Sequence, residues 1–226
     1  MTRVEFDRHL RELKNELLEM GSMVEKALAR AIEALKKRDT EMARQIVEDD
    51  VKINKKRFDI EEKCVELIAT QQPLARDLRQ LVSILHMTVD LERMGAPAEG
   101  IARINIRMGD EPLLKPLIDV PRMAQLGIDM THRALQAFID LDVEGARAVS
   151  ASDDEVDALY DQVYRELLIY MIQDPRTIQR ATYLLWIAHD LERIADRATN
   201  IAERVVFTVT GKMDETTTFE PNDFRA

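Results

Sequence analysis

Asp90-Leu91-Glu92-Arg93-Met94-Gly95 returns as Asp190-Leu191-Glu192-Arg193-Ile194-Ala195-Asp196, 100 residues further along the chain. The correspondence extends outward from both copies. Ala31, Leu35, Asp39, Ala43, Asp50 and Asn54 match Ala134, Phe138, Asp142, Ala146, Asp153 and Asp157 at an offset of 103, and Pro73 matches Pro175 at 102. An offset that slips by a few residues at the joints is what a duplicated helical unit produces. The chain therefore reads as two copies of one element.

Each copy has helical periodicity. Phe6, Leu10, Leu13, Leu17, Met20, Val24, Leu28, Ala31 and Leu35 advance in steps of three and four, which places one apolar stripe on a long helix. Asp39 reads as the N-cap of a second helix running to about Thr70. Gln71-Gln72-Pro73 breaks it, and a third helix continues from Leu74 to about Met108. The segment Gly109 to Pro121 holds Pro112, Pro116 and Pro121 and reads as a linker. Three more helices are expected at about 122–141, 143–173 and 176–209. Long helices joined by short loops lie antiparallel. The expected fold is all-α: two tandem three-helix bundles of six long antiparallel helices, with repeats over 1–110 and 118–210 and a flexible tail over 211–226.

The totals narrow the function. A net charge of −10 argues against nucleic acid, whose affinity rests on clustered Lys and Arg. The one cysteine, Cys64, reads as a core residue in a reducing compartment. There is no apolar leader at the N-terminus and no run long enough for a membrane span, so a soluble, cytoplasmic protein is expected.

Acidic residues fall where helices should pack. Asp153 interrupts the stripe Ala146, Val149, Val156, Tyr160, Val163, and Asp157 follows one turn later, about 40° around the helix. Glu192 interrupts the small-residue stripe Leu185, Ala188, Ala195, Thr199, with Asp196 and Asn200 following at fourth positions. Asp50 and Asn54 repeat the first pattern in the first half, and Glu92 the second. Converging carboxylates repel unless they are protonated or hold a cation. Oxygen donors with little His and no Cys suit Mg²⁺, Mn²⁺, Ca²⁺ or iron better than zinc. Spacing alone leaves a second reading open, in which these acids form salt bridges along the helix surface. His189 lies about 60° from Glu192 and is a weaker ligand candidate. Asp90 and Asp190 face another surface, with Arg93 and Arg193 expected to pair with acids of neighbouring helices.

No catalytic set is visible: there is no Gly-rich phosphate loop and no nucleophile beside a base. A carboxylate-bridged metal enzyme or iron-storage bundle is the alternative. Such sites use Glu-x-x-His, which this chain lacks; Asp129-x-x-His132 is the nearest approach. A purely structural scaffold is a third possibility.

The chain resembles the PhoU family at Met20-Gly21, Asp50-Val51-Lys52-Ile53-Asn54, Leu67 to Pro73, Asp77-Leu78-Arg79, and both Asp-Leu-Glu-Arg segments with Asn200-Ile201-Ala202. That resemblance implies a non-enzymatic negative regulator of the phosphate-starvation response, acting between the ATPase subunit of a phosphate transporter and a membrane sensor histidine kinase. It also implies a homodimer and a multinuclear metal cluster of iron or zinc. The family motif falls on Glu192 and Asp196, with Asp153 and Asp157 opposite. In the first repeat Asp50, Asn54 and Glu92 match, but Ala96 stands where an Asp is expected and Gly100 replaces the Asn. Pro97 removes a backbone donor and should kink the third helix. Metal is therefore expected in the second repeat, with weak or no binding in the first.

Overall fold

The structure is a computed structural model that describes residues 3–109 and 111–212. Its first half is three long helices, α1 (Arg3–Lys37), α2 (Thr40–Gln71) and α3 (Ala75–Met108). The second half holds α4 (Asp119–Asp140), α5 (Val143–Ser150), α6 (Asp153–Gln173) and α7 (Ile178–Thr210). Within each half the helices pack on one another, and α3 against α7 forms the main seam between the halves, with α1 against α4 beside it. This is the expected all-α pair of three-helix bundles, with the middle helix of the second bundle divided into α5 and α6.

The stripe read from the sequence is the core. Leu17, Met20, Leu28, Ala31 and Leu35 are buried from solvent along α1. The duplicated caps behave alike: the Asp39 carboxylate accepts from Met42 N–H at 2.9 Å, and that of Asp142 from Gly145 N–H at 3.0 Å. Each satisfies a donor the first helical turn leaves unpaired, worth about 1 kcal/mol. Where α1 crosses α4, Gly21 admits Leu135 so closely that a β-carbon would lie 2.2 Å from its Cδ1. At the far end of the first bundle, buried Asn105 donates to the carbonyls of Ala34 and Asp39, and Arg38 donates to Asn105 and the carbonyl of Glu111. The α1–α2 turn is thus tied to the end of α3.

Three boundaries differ from the periodic reading. α4 begins at Asp119, because Pro121 fits the first turn, where no helical N–H is required. The α5–α6 break falls at Ala151-Ser152. There the Ser152 N–H takes the tighter three-residue bond to Val149 O at 2.9 Å, and its hydroxyl donates to the Ala148 carbonyl. At the last joint a 3₁₀ turn over Pro175–Thr177 precedes α7, with Asp174 accepting from Arg176 N–H. α3 continues as one helix through buried Pro97. Of the tail read over 211–226, only Gly211 and Lys212 lie among the described residues. Gly211 closes α7 at φ +77°, a left-handed conformation suited to glycine.

Candidate metal centre

The α5–α6 break determines where the acids sit. It makes Asp153 the first residue of α6, with Asp157 one turn on, so both lie near a helix N-terminus that favours negative charge. Glu192 and Asp196 lie in the middle of α7, near enough for their charges to act on Asp153 and, from Asp196, on Asp157. Asp153 and Glu192 are half-buried, whereas Asp157 and Asp196 keep an edge in solvent.

The four carboxylates act on one another. Burial, then the charges of Asp157, Asp196 and Glu192, push the Asp153 carboxyl up to about 7. Burial, then Asp196 and Asp157, push Glu192 up to about 7, with Arg193 pulling the other way. Asp157 is also raised, by burial and then Asp196. Asp196, although exposed, is raised by desolvation and held back by Arg197, His189 and Arg193. Asp153 Oδ1 and Glu192 Oε2 are buried without a hydrogen-bond donor, two of the three such side-chain atoms among the described residues. His189 Nδ1 stands 3.3 Å from Glu192 Oε2, but it does not meet hydrogen-bond geometry and leaves that oxygen unsatisfied.

The surface salt-bridge reading therefore fits this group poorly. Its oxygen-only donor set and orphaned buried oxygens fit a hard cation. As the side chains stand, no three His, Cys, Asp or Glu residues among those described close tightly enough to hold an ion.

The first repeat places Asp50, Asn54 and Glu92 at the corresponding positions, but its own groups answer the charges. Asn54 Nδ2 donates to Asp50 Oδ2 at 3.1 Å, and Arg57 stands 3.5 Å from Glu92 Oε2 while its Nε donates to Glu61 at 2.8 Å. Asp50 is raised by burial, then by Glu99 and Glu92, with Arg103 opposing. The sequence reading passed over Arg57. Its signal was available, because the offset of 103 that aligns Asp50 with Asp153 aligns Arg57 with Tyr160.

The seam arginines also differ from expectation. Arg197, not Arg193, crosses from α7 to α3, reaching Asp90 at 3.4 Å, while Arg193 stays on its own helix at 3.6 Å from Asp190. Asp190 instead approaches Gly100, where a β-carbon would lie 3.2 Å from its Oδ2. Cys64 is buried, and its thiol is pushed up to about 12 by desolvation, then by Glu16 and Glu61, so it is an inert core residue.

Together these features define a duplicated helical bundle with one carboxylate-rich centre in its second half. The family model of the PhoU domain matches twice, over residues 17–104 and 120–205. The chain belongs to the PhoU family. It is 39% identical to a phosphate-specific transport system accessory protein PhoU homolog of Aquifex aeolicus, over 82% of this chain and 84% of that one. A homolog of the same description from Clostridium acetobutylicum is 38% identical, over 94% and 97% of the two chains. The crystal structure of PhoU from Pseudomonas aeruginosa superimposes with a TM-score of 0.87 at 38% identity, covering 92% of this chain and all of that one.

Proposed function

We propose that this chain is an accessory protein of a phosphate transport system, as its relatives are named, and that it regulates rather than catalyses. On this reading it is a cytoplasmic negative regulator of the phosphate-starvation response. It relays between the transporter's ATPase subunit and a sensor histidine kinase, and works as a homodimer. Among the described residues no helix is long and apolar enough to cross a membrane.

A metal ion or cluster belongs to the same reading. Asp153, Asp157, Glu192 and Asp196 would hold it, with iron or zinc suggested by the family and Mg²⁺, Mn²⁺ or Ca²⁺ compatible with the donors. Bound metal would supply the positive charge that these acids lack. The observation that carries this is the pair of buried, donorless oxygens on Asp153 and Glu192, in the repeat where Tyr160 replaces the arginine. Asp50, Asn54 and Glu92 would bind weakly or not at all, since Asn54 and Arg57 already engage those acids.

Co-purification of the tagged chain with the ATPase subunit and the kinase tests the relay. Enrichment of both is expected, and recovery of neither would contradict it. Elemental analysis after purification without chelators tests the metal. Bound metal is expected, and a metal-free protein that takes up none on incubation would remove that part of the reading.

A further inference from the structure

α2 presents three large apolar side chains to solvent, Val51, Phe58 and Val65, at 66%, 59% and 58% exposure. They recur every seven residues along about 21 Å of helix. A heptad spacing drifts about 20° per repeat, the geometry in which one helix faces another. Single exposed apolar residues are ordinary; a regular file of them is not. The shared fold does not require it, because the offset of 103 turns Val51 and Phe58 into Asp154 and Asp161.

One flank of this file is complementary in charge to its own copy, while the other is polar and already bonded within the chain, Asn54 to Asp50 and Glu61 to Arg57. Lys55 and Glu62 border one side, and Asn54 and Glu61 the other. Lys55 and Glu62 are exposed, and neither is engaged in an ion pair with another described residue.

We propose that this stripe docks a second copy of the chain, α2 against α2, antiparallel about a two-fold axis at Phe58. Phe58 then meets the partner's Phe58, and Val51 meets the partner's Val65. Lys55 stands within one residue of the partner's Glu62, twice over by symmetry. On the opposite flank Asn54 faces the partner's Glu61, and Val47 faces the partner's Ile68. A parallel pair would instead set Glu62 beside the partner's Glu61, where like charges repel. A single helix pair of this length buries less than the roughly 1,600 Å² of a standard interface. The dimer should therefore dissociate on dilution.

The placement rests on the homodimer proposed above. Sedimentation equilibrium over a wide concentration range tests both, with circular dichroism to confirm that each variant is folded. The wild-type chain should show a monomer–dimer equilibrium, and Phe58→Asp should remain monomeric throughout. Lys55→Glu should weaken association at least tenfold, and Lys55→Glu with Glu62→Lys should restore it, a rescue that a merely structural effect would not give. Phe58→Cys should form a disulfide dimer on mild oxidation, since buried Cys64 offers no competing thiol. A dimer unchanged by Phe58→Asp would overturn the stripe while leaving the homodimer standing. A monomer at every concentration would overturn both.

Discussion

The acidic centres of the two halves occupy equivalent places on equivalent helices, yet they balance charge in opposite ways. In the first, an amide and a guanidinium do the work: Asn54 caps Asp50, and Arg57 stands against Glu92 and Glu61. In the second, Asp157 and Tyr160 take those two places and Asp196 takes that of Ala96. Three substitutions point the same way, removing a cation and adding two carboxylates. The remaining acids are left with raised affinity for protons and two donorless oxygens. Arg193, Arg197 and His189 lie near this group but leave two of its buried oxygens without a donor, which is destabilising unless further positive charge is supplied. Duplication preserved the scaffold while the charge balance of one copy diverged.

The strongest test of this contrast is to remove it. Asn54→Asp, Arg57→Tyr and Ala96→Asp together rebuild the second pattern in the first half, and metal per chain by elemental analysis should about double. An unchanged content would show that these three positions do not control binding. A smaller but directional effect concerns the metal-free protein. Asp153→Asn or Glu192→Gln removes a repelling charge and should raise its melting temperature, whereas a salt-bridge role for these acids predicts a fall.

The pH dependence has a definite sign. Asp153 and Glu192 hold protons in the folded chain up to about 7, while in the unfolded chain they release them in the ordinary carboxylate range. Between those limits the native state binds more protons, so stability of the metal-free protein should rise as pH falls through about 7. Thermal melts should show that slope flattened when metal is bound. The smallest effects are expected where the halves agree. Asp39→Ala and Asp142→Ala each remove one cap and should each cost about 1 kcal/mol, a few degrees of melting temperature. Unequal losses would show that the shared scaffold has diverged as well.

Much of this was legible in the sequence because it is periodic. The α1 stripe, the two aspartate caps and the second-half acids were all read from spacing; the stripe and the caps follow from helical geometry alone, whereas Asp153 owes its place at the start of α6 to a break that spacing did not show. What was missed depends on contacts that spacing does not encode. Arg57 matters because it reaches from α2 to Glu92 on α3, and Arg197 because it reaches across the seam to Asp90. The α5–α6 break turns on local bonds of Ser152. Its apolar period continues from Val149 to Val156, and so the periodicity hid it.

The central claim is that one half holds metal and the other does not. Metal content of Glu192→Gln and Glu92→Gln, purified side by side with the wild-type chain, addresses it most directly. The account predicts that Glu192→Gln loses most of its metal while Glu92→Gln retains the wild-type amount. Equal contents in all three, or a loss confined to Glu92→Gln, would contradict it.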